Sequence, residues 1–402
     1  MAKISTDQAK IQELLERGVE NIYPNKEYLK KQLLSGKPLS LYLGVDPTGP
    51  SLHLGHMINI EKLRQFQELG HKIILLIGDF TGTVGDPTDK AATRKPLTRD
   101  QVLQNAKDYK KQASKIINFS GANKAEIKFN SQWAKKLNFA DVLNLSSNFT
   151  VQRLLERDMF QERIKAGRPI HLHEFMYPML QAYDSVAMEV DGEIGGNDQT
   201  FNMLAGRDLI KTLKSKEKFV MTMKLLTDST GKKMGKTEGN MAALSDNAKD
   251  MFGKIMSWTD GMIVSGFELC TRVPLVEIKQ IEKELKSGKN PRDLKFRLAT
   301  EVVKIYFGDT AAQRAGQEFN NIFAKKENPD DIPEFAISKN KINPVDLLVE
   351  MKLVNSKSEA RRLIEGGGLK LNQTKIEAWD QDLNIKSGDV VQAGKRKFGK
   401  IK

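Results

Sequence analysis

Between Ser40 and Gly78 the chain reads as strand, helix and strand with very short connections. Ser40 to Val45 has the pattern of a short buried strand ending at the turn Asp46-Pro47-Thr48. Leu54 to Leu69 follows with helical spacing, its apolar positions being Leu54, Met57, Ile58, Leu63 and Phe66. Lys72 to Gly78 is a continuous apolar run, the mark of a central parallel strand covered on both faces. Such a unit needs a right-handed crossover. The expected fold is α/β, with a Rossmann-like doubly wound parallel sheet, and ligands should bind where strand C-termini meet helix N-termini. Residues 46–56 and 78–94 both fall at that edge.

With 402 residues the chain is long enough for two or three domains. From about residue 246 helical patterns dominate, over 247–257, 275–286, 293–306 and 310–323. Residues 325–342 are polar and contain Pro329 and Pro333, which suggests a linker. The last block, 343–402, holds 12 Lys/Arg against 8 Asp/Glu. It begins with a basic helix over 358–364, closed by Gly366-Gly367-Gly368, and continues with short strands near 369–371 and 390–392. The expected organisation is a catalytic domain over 1–245, a helical domain over 246–324, the linker, and a small basic α+β domain over 343–402. A net charge of +13 favours a polyanionic partner, nucleic acid before a membrane surface. The single cysteine, Cys270, excludes an intrachain disulfide and fits a reducing cytoplasm. No run approaches the length of a membrane span, and the first residues have no apolar signal segment.

Chemistry concentrates in two short motifs. His53 and His56 flank Gly55 at the expected start of the 54–69 helix. Free N–H groups there attract phosphate, glycine lets a ligand lie on the backbone, and two imidazoles add donors. Far downstream, Lys233-Met234-Gly235-Lys236-Thr237 lies among Gly231, Gly235 and Gly239. Lysines on such a loop can close late on an anion whose charge changes during reaction. Either motif alone is compatible with an ordinary solvated surface.

Together and in this order, they resemble the HIGH and KMSKS signatures of class I aminoacyl-tRNA synthetases. Further segments resemble the tyrosyl-tRNA synthetases: Leu41-Tyr42-Leu43-Gly44-Val45-Asp46-Pro47-Thr48, Gly78-Asp79-Phe80-Thr81-Gly82, Gly85-Asp86-Pro87-Thr88-Asp89-Lys90, Glu174 to Asp184, and Gly195-Gly196-Asn197-Asp198-Gln199. The resemblance covers nearly the whole chain. Gly235 departs from the generic serine, and Leu54 from the generic isoleucine. Some tyrosyl enzymes also lack a tyrosine where Tyr42 stands.

The resemblance implies a set of roles. Tyr177, Gln181 and Asp86 would hold the ammonium of tyrosine, Tyr42 and Asp184 would meet its phenol, and Gln199 would line its carboxylate. Tyr177, Gln181 and Asp184 stand at i, i+4 and i+7, so one helix face can carry all three. ATP would lie against Gly44, Asp46, Gly55, Gly196, Asp198 and the loop Lys233, Met234, Gly235, Lys236 and Thr237. Thr48, His53, His56, Lys233 and Lys236, joined by Lys90 and Arg94, would stabilise the transferring phosphate and leaving pyrophosphate. Arg361, Arg362 and Lys370 would contact RNA phosphates in a C-terminal domain that resembles a ribosomal small-subunit module. The expected cofactor is ATP as co-substrate, with Mg2+ arriving on it, since the sequence shows no carboxylate cage or other metal site. Expected partners are tyrosine, tRNA(Tyr) and a second copy of the chain, with no membrane.

The tyrosine carboxylate is already ionised at neutral pH, so activation needs placement and charge stabilisation and no general base. Three alternatives stand beside this reading. A tryptophan-specific enzyme on the same scaffold would have no phenol oxygen for Tyr42 and Asp184 to meet. A nucleotidyltransferase with His-x-Gly-His would not need the two trailing domains. A synthetase-derived RNA-binding protein would not need to retain both motifs.

Overall fold

The structure is a computed structural model describing residues 3–87, 97–227, 242–323, 332–337, 339–394 and 397–402. The chain forms two compact units, Met1–Ala312 and Gln313–Lys402.

The first unit is built on a six-stranded sheet comprising β1 (Val19–Tyr23), β2 (Ser40–Val45), β3 (Lys72–Ile77), β4 (Glu126–Phe129), β5 (Gly192–Gly196) and β6 (Phe219–Met223). The strands lie in the order β1-β6-β5-β2-β3-β4. All neighbours are parallel except β1, which runs antiparallel to β6 at the edge. The parallel strands thus have the doubly wound arrangement expected from the sequence, with the switch point between β2 and β5.

The crossover from β2 to β3 is the helix Leu54–Glu68, which buries Leu54, Met57, Ile58, Ile60, Leu63 and Phe66. Each such side chain contributes roughly 1.5–3 kcal/mol on burial. Strand β3 has Ile73 to Ile77 buried, as its unbroken apolar run requires. Strand β5 gave no such signal, because three of its five residues are glycine. At Gly192 a Cβ would come within 2.0 Å of the Phe219 ring, so close strand packing demands the glycine.

Pairing of β2 with β3 extends from Ser40↔Lys72 to Val45↔Ile77. Pairing of β2 with β5 covers only Leu41↔Gly192 and Tyr42↔Glu193. The C-terminal halves of these two central strands are therefore not laddered together. Gly44 is exposed although it lies on a central strand, marking a place where a ligand can approach backbone.

The helices Ala248–Met256, Ile263–Cys270, Leu275–Lys286 and Pro291–Phe307 belong to the same compact unit. Phe252 meets Phe296 edge-on, with ring centroids 5.1 Å apart. The Ile263–Cys270 helix packs against Leu54–Glu68. The helix Asp309–Phe323 follows.

In the second unit, helices Pro344–Glu350 and Lys357–Glu365 share a core with a sheet through Leu347, Leu348, Ala360, Ile364, Leu369 and Val391. Its strands are β7 (Glu334–Phe335), β8 (Lys341–Ile342), β9 (Leu369–Leu371), β10 (Thr374–Ile376), β11 (Leu383–Asn384), β12 (Val390–Ala393) and β13 (Lys397–Ile401). Five of them form the order β10-β9-β12-β13-β7, while β8 pairs with β11. Strands β7 and β8 come from the stretch read as a linker. Glu334 and Phe335 pair with Lys400 and Ile401 at a sheet edge, where short polar strands beside proline are tolerated. Among the described residues, no helix is long and apolar enough to cross a membrane.

Candidate active site at the sheet switch point

The helix Leu54–Glu68 starts just after the C-terminal end of β2, and His53 is its N-cap. The His53 backbone N–H donates to His56 Nδ1 at 3.2 Å, and the two rings lie 3.8 Å apart. An accepting Nδ1 leaves the proton on Nε2, the atom able to donate to an anion. A Cβ at Gly55 would sit 3.0 Å from the His53 ring, so glycine lets the rings close over the helix start. Thr48 is exposed in the preceding turn, its N–H bonded to Asp46 O at 2.8 Å.

Leu54 N–H donates to Ala242 O at 3.1 Å, and Leu244 N–H to Leu52 O at 2.9 Å. His53 and Ala243 form an isolated antiparallel bridge. The chain that follows residue 241 is therefore stitched to the histidine pair. Lys233, Met234, Gly235, Lys236 and Thr237 themselves lie outside the described residues, as do Lys90 and Arg94.

Tyr177, Gln181 and Asp184 all lie on the helix Leu172–Met188, with Tyr177 and Asp184 buried and Gln181 half-buried. Tyr177 Oη donates to Asp46 Oδ2 at 3.0 Å, while Asp46 Oδ1 accepts from Thr81 Oγ1 at 2.7 Å. Asn130 Nδ2 donates to Thr81 Oγ1 at 3.0 Å and to Asp184 Oδ2 at 3.4 Å. Trp133 Nε1 donates to Asp184 Oδ1 at 2.7 Å. A continuous polar chain thus joins the two ends of the helix face. Burial drives the Asp46 carboxyl up to about 7, against the hydrogen bonds from Thr81 and Tyr177. Burial also raises Asp184 well above the carboxylate range, opposed by Trp133 and Asn130. Gly78 makes this packing possible, since a Cβ there would lie 1.8 Å from Asp46 Oδ1.

A second polar chain lies on the β5–β6 side. Gln181 Nε2 donates to Glu193 Oε1 at 3.0 Å, and Glu193 Oε2 pairs with Lys218 Nζ. Lys218 also donates to Ser185 Oγ at 2.8 Å, and Ser185 Oγ lies 3.1 Å from Tyr42 Oη. Tyr42 is fully buried against Ile74, Leu76 and Val190. Its hydroxyl is pushed well above the usual tyrosine value by burial, then by the charges of Glu193 and Asp184. Tyr42 and Asp184 share this region, yet each is bonded to residues other than the other.

Gln199 Nε2 donates to Asp86 Oδ2 at 2.6 Å, and Arg157 Nη2 stands 3.9 Å from Asp86 Oδ1. Arg157 also lies over the Phe201 ring at 4.9 Å. Asp198 occupies the 3-10 turn Asn197–Gln199, which follows β5 and leads into the helix Thr200–Lys214. A Cβ at Gly196 would meet Asp198 Oδ1 at 2.5 Å, so this glycine admits the aspartate. Asp46, Asp86, Tyr177, Gln199 and the histidine pair therefore gather around the C-terminal edge of β2, β3 and β5, while Gln181 meets Glu193 near the start of β5. The arrangement offers acceptors for a cation, buried hydroxyls and carboxylates for a polar side chain, and helix N–H and imidazole donors for a phosphate.

Sequence reading missed Thr81, Asn130, Trp133, Arg157, Ser185, Glu193 and Lys218. Glu193, a charge inside an apolar Gly-rich strand, carried a signal that could have been used. The others look ordinary until the fold assembles them.

In the second unit, Arg361 stacks over the Trp379 ring at 4.6 Å. Arg362 is exposed on the same helix, and Lys370 is half-buried in β9.

Residues 34–324 match the family described as tRNA synthetases class I (W and Y). Residues 325–399 match a tyrosine–tRNA ligase SYY-like C-terminal domain. The chain is 43% identical over 404 residues to a tyrosine–tRNA ligase of Moorella thermoacetica, covering 99% of this chain and 97% of that one. It is 47% identical over 389 residues to a tyrosine–tRNA ligase of Photobacterium profundum, covering 96% and 97%. Its fold resembles a C-terminally truncated Aspergillus nidulans mitochondrial tyrosyl-tRNA synthetase, with TM-score 0.65, 23% identity, and coverage of 78% of this chain and 94% of that one. It also resembles an Archaeoglobus fulgidus tyrosyl-tRNA synthetase complexed with L-tyrosine, with TM-score 0.59, 20% identity, and coverage of 77% and 99%.

Proposed function

Because this chain belongs to the class I tRNA synthetases, and within them to the tyrosine–tRNA ligases, we propose a place in that reaction for each residue of the site. The enzyme joins tyrosine to ATP, giving tyrosyl-adenylate and pyrophosphate, and then passes the tyrosyl group to the 3′-terminal ribose of tRNA(Tyr).

The observation that carries the site assignment is the polar face of Leu172–Met188, held against Asp46 on one side and Glu193 on the other. In this reading Tyr177, Gln181 and Asp86 receive the ammonium, while Tyr42 and Asp184 discriminate the phenol. Gln199 lines the carboxylate and keeps Asp86 in place. Asp198 and Gly196 meet the ribose, with Gly44, Asp46 and Gly55 along the nucleotide. His53, His56 and Thr48 stabilise the α-phosphate as the tyrosine carboxylate attacks it, and Lys233, Lys236, Lys90 and Arg94 take the charge of the departing pyrophosphate. Met234, Gly235 and Thr237, next to those lysines in sequence, complete the set of proposed ATP contacts. Magnesium enters with ATP as part of the substrate.

We assign activation to residues 1–245, tRNA contacts to 246–324 and 343–402, and phosphate contacts to Arg361, Arg362 and Lys370. A homodimer is supported by apolar side chains left exposed between residues 139 and 172, namely Phe139, Leu143, Val151, Ile164 and Leu172. A cytoplasmic location fits the lone, buried Cys270.

Amino-acid-dependent ATP–pyrophosphate exchange tests the pocket. Exchange with tyrosine and none with phenylalanine or tryptophan is expected. Exchange with tryptophan would overturn the phenol assignment to Tyr42 and Asp184.

A further inference from the structure

We propose that the buried Lys218–Glu193 pair is the positioning element of the tyrosine pocket, orienting Gln181 and Tyr42 without itself touching substrate. The proposal rests on the reading above that Gln181 meets the substrate ammonium.

Lys218 and Glu193 are both buried within the unit. A charge pair so placed gives little net stability, because desolvation offsets its attraction. Its donors and acceptors, however, are committed in direction. Glu193 Oε1 accepts from Gln181 Nε2 at 3.0 Å. A carboxylate has nothing to donate, so the amide must present its NH2 to Glu193 and its carbonyl oxygen elsewhere. That carbonyl is the acceptor an ammonium group requires. Reversing the amide would turn two N–H donors toward the same cation.

Lys218 commits the other branch. Its ammonium cannot accept, so Ser185 Oγ accepts from it at 2.8 Å and keeps its own proton for other use. Tyr42 Oη lies 3.1 Å from that oxygen. Lys218 and Glu193 sit beside the adjacent starts of β6 and β5, where Gly192 pairs with Phe219. Room for the cluster comes from Gly206, where a Cβ would lie 2.8 Å from Lys218 Nζ and 2.9 Å from Ser185 Oγ. One buried pair thus sets hydrogen-bond polarity at the ammonium end and anchors Ser185 beside the hydroxyl at the phenol end.

The test is steady-state pyrophosphate exchange by the full chain carrying Glu193→Gln, Gln181→Ala or both, with melting temperature followed in parallel. Glutamine at 193 can face Gln181 in either amide orientation, so the directional constraint is lost. The expected result for E193Q is a tyrosine KM raised about threefold or more, with kcat and the ATP KM unchanged. Q181A should raise the tyrosine KM about tenfold, and the double variant should exceed Q181A by less than the product of the two single effects, because Glu193 acts in part through Gln181. Should E193Q fold poorly, K218M/E193M removes both charges while keeping apolar bulk, and its tyrosine KM should rise about tenfold. A lowered melting temperature with an unchanged tyrosine KM in these variants would reduce the pair to a structural role and overturn the proposal. Multiplying effects in the double variant would overturn it too. An unchanged KM in Q181A alone would show that the pocket reading fails first and takes the proposal with it.

Discussion

Tyr177 donates its hydroxyl to Asp46 across 3.0 Å, linking the helix assigned to tyrosine with the turn assigned to ATP. The two motifs are more than 100 residues apart in sequence, yet one hydrogen bond joins them directly. Asp46 thus ties the proposed tyrosine-binding helix to the proposed nucleotide-binding turn.

Asp46 should make stability depend on pH. Burial lifts its folded-state carboxyl from 3.8 to about 7, so the folded protein binds this proton more tightly than the unfolded chain. The associated stability is fully present below about pH 4 and is lost as pH rises through about 7. Melting temperatures of the natural protein and Asp46→Asn, compared from pH 5 to 8, should show the natural protein losing ground as pH rises. A constant difference across that range would contradict this account.

Asp184 is held by Trp133 at 2.7 Å and by Asn130 at 3.4 Å. Asp184→Asn should cut kcat/KM for tyrosine about a hundredfold and shrink the preference over phenylalanine, since a buried polar partner is mismatched. Trp133→Phe should act in the same direction and cost about tenfold, because the carboxylate loses one donor. Exchange kinetics with both amino acids measure each effect, and an intact preference in Asp184→Asn would remove it from the phenol site.

Gly78→Ala should be severe for so small a change. The new methyl would fall 1.8 Å from Asp46 Oδ1 and 2.4 Å from Thr81 Oγ1. Overpacking of this kind costs about 1–3 kcal/mol. We expect a lowered melting temperature together with a raised tyrosine KM, because the Tyr177 anchor moves with Asp46. Normal values of both would mean that the turn relaxes without disturbing the site.

Removal of residues 343–402 takes away the second unit's helices Pro344–Glu350 and Lys357–Glu365 with most of its strands. Tyrosine-dependent exchange should persist within about twofold, while tRNA charging falls at least tenfold. Charging at the full rate would withdraw the RNA role given to Arg361, Arg362 and Lys370.

The sequence by itself determined the strand–helix–strand around the histidine pair, because β3's apolar run and the 3.6-residue period of Leu54–Glu68 are local signals. It also determined that Tyr177, Gln181 and Asp184 share a helix face, a matter of spacing alone. Tertiary structure alone decided what holds them. Lys218 reads in sequence as one more cation beside Lys216 and Glu217, and Asn130 and Trp133 as ordinary residues of a polar stretch. Strand order places β5 and β6 on one side of β2 and puts β3 and β4 on the other. Partners 12 to 143 residues apart then meet in buried surroundings, where donors must find acceptors. Burial, absent from any local pattern, is what turned these common side chains into the frame of the site.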